Sequence, residues 1–549
     1  MNKKDAVLQI FEKAIEPIAP GIQHDFAFET PKNPAHGDLT TSIAMRLARV
    51  LKKSPMIIAS EIVNNLELKN LPILDKVEIV NPGFINVKLN IIYYHSAIAE
   101  MYDKGEKIGR IDLGHKKKVN VEYVSANPTG LLHLGHGRNA CLGDTIANLY
   151  EWTGYDVTRE YYFNNAGNQM HILGDSIYAR YMQIFKGEEY PFPENGYHGD
   201  YIITIANELK EKYNDSLTEN TEENLNICRK CGEEWCFEKI KNTLQRMGIV
   251  MDDFYNEDSL YKTGKIDEVI RFFKDKNFAY EKDGATWLRF TELGLPEDRV
   301  IIKASGEPTY RLPDIAYHRE KFRRGFDVIV DIFGSDHIAT IPDVMSGVKA
   351  MGFDTDIIKP VIYQFVTLTE NGEQVKMSKR SGKSYTLDML LDEVSPDVVR
   401  FFLLMRSYST HLEFNLDIAR EQSEKNPVFY LQYAHARIAS VIDNATRAGA
   451  SMDGKIDFSL LTEPQEIALI DEAGKFESCI ADAARKCEPQ ILADYLRNFA
   501  SSFHSFYHDC RIIGVDAELQ KARLALSITA KNIIHNGLTV MGISAPERM

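Results

Sequence analysis

Apolar residues recur along this chain with several different periods, and the changes of period divide it into blocks. Near the N-terminus, Ile43, Leu47 and Leu51 repeat at helical spacing, with Arg46, Arg49, Lys52 and Lys53 on the other faces. Val77 to Val87 reads as two strands around the turn Asn81-Pro82-Gly83. A charged stretch from Lys104 to Lys118 links this first block, residues 1–105, to a second. There Val119 to Tyr123 alternates as a strand, and Asn127-Pro128-Thr129-Gly130 turns. A helix is expected over about 137–152, ended by Gly154, and Val157 to Phe163 resumes as a strand. Strand, turn, helix and strand form a βαβ unit, which predicts a parallel sheet. The runs Val328–Phe333 and Val361–Leu368 are expected to extend it, and residues 175–290 read as a charged, largely helical insertion. This second block spans 106–385, and 386–425 reads as a helical connection. From 426 to 549 the pattern is almost wholly helical, with amphipathic stretches at Pro427–Ile442, Ile491–Phe506 and Ala517–Val540.

Composition narrows the class. At 549 residues the chain is too long for one core, and its 44% hydrophobic and 26% charged content is that of a globular protein. The net charge of −15 argues against nonspecific coating of nucleic acid and leaves room for local basic patches. Seven irregularly spaced cysteines fit a reducing compartment rather than a disulfide framework. The first helix carries Asp5, Glu12 and Glu16 among its apolar positions, unlike a signal peptide, and no run reaches the roughly 18 apolar residues of a membrane span. A cytoplasmic protein is expected. Cys228, Cys231 and Cys236 lack an obvious fourth zinc ligand, His198 being only a distant candidate. They share helical spacing with Leu225, Trp235, Ile240 and Leu244, so buried helical cysteines are expected and no metal.

Two short motifs carry chemistry. His133-Leu134-Gly135-His136 falls where a strand and turn lead into a helix, and Lys376-Met377-Ser378-Lys379-Arg380 lies far downstream. A helix N-terminus presents unpaired N–H groups and a positive dipole end to phosphates. Imidazoles there can donate to charge as it builds on an α-phosphate, and Gly135 lets a nucleotide approach the backbone. Two histidines in that place could also simply cap the helix. Lys376, Ser378 and Lys379, after the turn-forming Thr369 to Glu373, could close over a triphosphate. The same cations could equally belong to a solvated loop. The pair, in this order, fits two halves of one ATP site used to adenylate a carboxylate.

The two motifs and their surroundings resemble the class I aminoacyl-tRNA synthetases, and among them the bacterial arginyl-tRNA synthetases. Val121–Gly130 leading into the histidine motif, Glu160–Gln169, Thr309–His318, Gly334-Ser335-Asp336-His337, Arg400–Ser407, Gln432–Arg437 and the terminal Ser544–Met549 carry the likeness over nearly the whole chain. The resemblance implies a Rossmann-like α/β catalytic domain with a parallel sheet, an N-terminal α+β domain that contacts tRNA and a C-terminal all-α domain that binds the anticodon. It implies L-arginine, ATP with Mg2+ and tRNA(Arg) as substrates, no tightly bound cofactor, and a monomer. ATP would be held by His133, Gly135, His136, Gly334, Asp336, Lys376 and Lys379. Arginine would be held by Glu122, Ser125, Asn127, His136, Glu257, Tyr310, Asp314 and His337, a guanidinium requiring buried carboxylates. Arg46, Arg49, Lys52, Tyr433 and Arg437 would meet tRNA. Leu312-Pro313 replaces the Thr-Arg often found before the pocket aspartate, and the proline restricts the backbone just ahead of Asp314. Other readings are a different class I synthetase, a small nucleotidylyltransferase and a noncatalytic tRNA-binding protein. The long helical C-terminal block, the acids near the site and the intact motifs argue against them in turn.

Overall fold

The structure is a computed structural model that describes residues 2–21, 26–165, 167–375 and 385–549. It opens with a helix, Lys3–Ile15, whose first turn is capped by the side chain of Asn2, and which buries Val7, Phe11, Ala14 and Ile15. That face packs with the helices Ile43–Leu51 and Pro55–Asn65 and a three-stranded antiparallel sheet. Phe84–Leu89 is the central strand, between Leu39–Thr41 and Leu74–Val80, and the Asn81-Pro82-Gly83 turn joins two of the three.

Five parallel strands form the middle of the molecule. Their order is Ile358–Tyr363, Val328–Gly334, Lys118–Glu122, Asp156–Phe163 and Asp253–Asn256. Val119, Val121, Ile329 and Val330 are fully buried, as expected for a sheet covered on both faces. The helix Leu134–Trp152 crosses the sheet so closely that a Cβ on Gly143 would lie 2.1 Å from the Tyr123 ring.

Two expectations need correction, and a third gains detail. Residues 175–290 are largely helical, as expected, though not throughout: Asn168–Lys186, Asp200–Tyr213 and Glu222–Arg246 pack around their own apolar cluster, and Asp258–Lys262 and Lys265–Asp275 follow later. The stretch also supplies the sheet's edge strand, Asp253–Asn256. Next comes an antiparallel sheet of Ala279–Lys282, Ala285–Leu288 and Arg299–Ile302, whose first hairpin turns at Asp283-Gly284 with φ of 51° and 76°. The apolar run Val361–Leu368 does not extend a single sheet. It breaks at Gln364-Phe365, and Val366–Glu370 instead pairs with Leu412–Asn415 and Glu373–Gln374. Leu412–Asn415 is accordingly a strand within 386–425, where helix was expected.

The last block consists of the helices Pro427–Arg447, Pro464–Ala473, Phe476–Lys486, Gln490–Asp509 and Ala517–Val540. It is tied to the sheet-bearing part through Arg400, on the helix Pro396–Leu404. This buried guanidinium donates to Asp144 of the Leu134–Trp152 helix, to the Met541 carbonyl and to the Met247 carbonyl. Among the described residues no helix is long and apolar enough to cross a membrane.

Candidate active site

The strand Lys118–Glu122 ends in a strained turn. Val124 and Ser125 have φ of 66° and 40°, a region a β-branched residue adopts only when its surroundings hold it there. Asn139, one turn into the following helix, supplies that hold. Its Oδ1 accepts from the Val124 N–H at 2.6 Å, and its Nδ2 donates to the Ile332 carbonyl at 3.0 Å. Ser125 Oγ donates to Glu122 at 3.0 Å and accepts from the Tyr162 N–H. Asn127 donates to Gln169 at 2.7 Å. Nothing in the local sequence singles out Asn139, because its role appears only when helix and strand meet. Asn139→Ala leaves two buried backbone groups unpaired and should destabilise the protein by about 2–3 kcal/mol. A thermal melt with an unchanged midpoint would remove this residue from the account.

The helix Leu134–Trp152 begins on the two motif histidines. His133 Nδ1 accepts from the N–H groups of Gly135 and His136, and His136 Nδ1 accepts from the His133 N–H at 3.3 Å. The rings stack, with centroids 3.7 Å apart. Capping and phosphate recognition are therefore not exclusive: the reciprocal cap uses Nδ1 of each ring. Lys376, Ser378 and Lys379 lie outside the described residues. The segment that follows them is tied directly to the histidine motif, since Leu387 N–H donates to the Leu132 carbonyl at 2.8 Å and Thr386 bridges to His133. Arg138, two residues past His136, is fully buried and donates to the carbonyls of Gln364, Ser407 and Thr410. It thus clamps the break between the parallel sheet and the small sheet that precedes residue 376. Burial draws its guanidinium down to about 10.

Acids gather at the carboxyl end of the strand that leads into this helix. Glu257, only 5% exposed, accepts from the Tyr162 hydroxyl at 2.9 Å, and burial raises its carboxyl above the usual range. Asp314 lies in the first turn of the helix Arg311–Arg323, where Pro313 is accommodated because no N–H is needed there. Enclosure, with the nearby charges of Glu257 and Glu122, pushes the Asp314 carboxyl up to about 7. Tyr310 meets Asp314 through the backbone, its carbonyl accepting from the Asp314 N–H at 3.2 Å. Tyr310 as a whole is 64% exposed, so the spacing of four does not bury the pair together. Gly334 ends its strand, Asp336 and His337 follow in an exposed turn, and the His337 ring stacks on Phe333 at 5.6 Å. Asp314, Phe333, His337 and Val344 help to line one cleft.

The remaining candidates lie apart from this cluster. Arg46, Arg49 and Lys52 sit exposed along the Ile43–Leu51 helix and its C-cap. Arg437 donates to the Tyr433 hydroxyl at 2.8 Å and stacks over Tyr507 in the last block. Cys228 and Cys236 are buried on the helix Glu222–Arg246, with Cys231 partly so.

Comparison with known proteins places the chain in one family. The profile described as "tRNA synthetases class I (R), catalytic domain" matches residues 97–401. "Arginyl tRNA synthetase N terminal domain" matches 5–89, and "DALR anticodon binding domain" matches 431–549. An arginine–tRNA ligase of Salinibacter ruber is 47% identical over 541 residues, covering 96% of each chain. Another, of Desulfotalea psychrophila, is 46% identical over 527 residues, covering 95% of each. The solved arginyl-tRNA synthetase of Thermus thermophilus shares the fold over 100% of both chains, with a TM-score of 0.76 at 19% identity. With its parallel sheet, its histidine-capped helix and identity of this order along almost its whole length, the chain belongs to the arginyl-tRNA synthetase family.

Proposed function

We propose that this protein is an arginine–tRNA ligase whose arginine pocket is built on Glu122, Glu257 and Asp314, beside an ATP site at His133 and His136. The observation that carries this reading is the gathering of three acids: Glu122 and Glu257 at the carboxyl ends of parallel strands, the first leading into the histidine-bearing helix, and Asp314 on the helix beside them. Ligands bind at such ends in open sheets of this kind. A guanidinium needs carboxylates at one end, and the α-amino and carboxylate groups need anchors at the other. Asp314 and Glu257 supply the first, with Tyr310 at the rim. Glu122, Ser125, Asn127 and His136 supply the second, and His337 closes the site.

In the first step an oxygen of the arginine carboxylate attacks the α-phosphorus of MgATP, and the bond to the bridging oxygen breaks as pyrophosphate leaves. His133 and His136 donate to the charge that builds there, Gly135 and Gly334 allow close approach, and Asp336 meets the nucleotide. Lys376, Ser378 and Lys379 serve the departing phosphates. In the second step a terminal ribose hydroxyl of tRNA(Arg) attacks the acyl carbon and AMP leaves. No protein nucleophile is required; positioning and electrostatics supply the rate. Residues 1–105, with Arg46, Arg49 and Lys52, and residues 426–549, with Tyr433 and Arg437, hold the tRNA on either side of 106–385, in a protein that works as a monomer. Arginine-dependent ATP–pyrophosphate exchange, with and without tRNA(Arg), tests the reading. A folded protein silent in both would overturn it.

The raised carboxyl of Asp314 makes a further prediction. The guanidinium binds the ionised acid, so affinity is full above about 7 and falls as protons occupy Asp314 below it. The KM for arginine should rise about tenfold per pH unit below that point. Asp314→Asn should raise KM by about ten- to a hundredfold, from a charge-assisted hydrogen bond of roughly 1.5–3 kcal/mol, and flatten the profile. A sloping profile retained in the variant would assign the proton to another group.

A further inference from the structure

Four acids stand in register across the parallel sheet: Asp331, Glu122, Glu160 and Asp253 are neighbours on successive strands. The first three are buried, an arrangement that would be prohibitive without cations set against it. The helix that carries Asp314 provides them on its later turns. His318 Nε2 lies 3.0 Å from Asp331, and Arg324 and the Tyr317 hydroxyl bind Glu160. Between them, the fully buried Lys321 ammonium lies 2.5 Å from both Glu122 Oε2 and Asp331 Oδ1. The other oxygen of Glu122 accepts from Ser125, so both oxygens are already held by the protein itself. Glu122 faces Asp331 and Glu160 from neighbouring strands, Asp314, Tyr317 and Lys321 from the helix, and Tyr162 from its own side of the sheet.

We propose that Lys321 is a positioning residue for the amino-acid pocket: by holding one oxygen of Glu122 from the helix that bears Asp314, it fixes the acid that receives the α-amino group relative to the acid that receives the guanidinium. The inference rests on the reading of this pocket as the arginine site. A lysine that merely neutralised a buried aspartate would pair with Asp331 alone; this one is shared, and its second partner is the acid assigned above to the α-amino group. Its charge also favours the ionised form of Asp314, so its loss pushes that carboxyl above about 7.

The test is arginine-dependent pyrophosphate exchange by the full-length enzyme with its tRNA, measured across pH. Lys321→Met should raise the KM for arginine at pH 7 by at least about tenfold and move the acid limb of its profile to higher pH, with the KM for ATP changed less than about twofold. It should also lower the thermal midpoint, because the buried Asp331 and Glu122 both lose the ammonium between them, Asp331 keeping only His318. The double variant Lys321→Met/Asp331→Asn removes the charge of Asp331. It should recover the midpoint in part, Glu122 still lacking the ammonium, while the arginine KM and the shifted profile persist. A double variant with wild-type arginine KM and pH profile overturns the proposal, since Lys321 would then serve Asp331 alone. Should the double variant fail to fold, Asp331→Asn decides: it keeps the contact between Lys321 and Glu122, so a KM within about threefold of wild type supports the role and a tenfold rise overturns it. Loss of arginine-dependent exchange in the wild type would instead overturn the arginine site itself.

Discussion

His133→Asn is expected to leave the thermal midpoint within about 2 °C of wild type while lowering kcat for arginine-dependent pyrophosphate exchange by about 10²–10³-fold. Asparagine is among the best N-caps, so its side-chain oxygen can take over the bonds that His133 Nδ1 now accepts from Gly135 and His136. What it cannot supply is the imidazole's second nitrogen, which takes no part in the Nδ1 cap and which the proposed site uses to donate to the α-phosphate oxygens as charge builds on them. The substitution therefore separates the observed capping of the helix from the catalytic duty proposed for the same imidazole. Donors of this kind are worth roughly 3–4 kcal/mol in a water-poor site because they strengthen only at the transition state. Retained activity in a stable His133→Asn protein would reduce the histidine to a cap. His136→Asn poses the same question from the other half of the reciprocal cap.

Arg400→Leu is expected to produce the largest loss of stability, about 3–5 kcal/mol. The change strands the Asp144 carboxylate in the interior and unpairs the carbonyls of Met247 and Met541. Those three acceptors come from the histidine helix, the end of the Glu222–Arg246 helix and the end of the last helix. One guanidinium therefore joins three parts of the chain. Arg400→Lys should rescue little, because an ammonium cannot match the planar fork that reaches all three. In a chain of several domains the effect is best read as a lower midpoint together with faster proteolysis of the last block. A melt that coincides with wild type would show that the junction rests on its apolar contacts alone.

The sequence was most readable where function and local periodicity coincide. The strand before Tyr123, the helix after His133 and the long C-terminal helices all follow from spacing within about twenty residues. The hairpin at Asp283-Gly284 also had a local signal, in the turn dipeptide itself, but charged flanking residues masked it as helix. The break at Gln364-Phe365 had none, because an apolar run looks the same whether it continues one sheet or passes to another. In the site, Glu257 and Asp314 could be named from resemblance, whereas Asn139, Lys321 and Arg138 could not. Each acts on a group far away in sequence, and a buried lysine or arginine carries no mark that separates it from one in solvent.

Arg138 also determines how the molecule should respond to ionic strength. Exposed pairs such as Lys53 with Glu61 weaken as salt rises, since screening acts over about 8 Å at physiological concentration. The partners of Arg138 are neutral carbonyls in the interior, so mobile ions have neither a counter-charge to replace nor a path to reach it. The histidine helix and the small sheet leading to residue 376 should therefore stay joined in brines that loosen the surface.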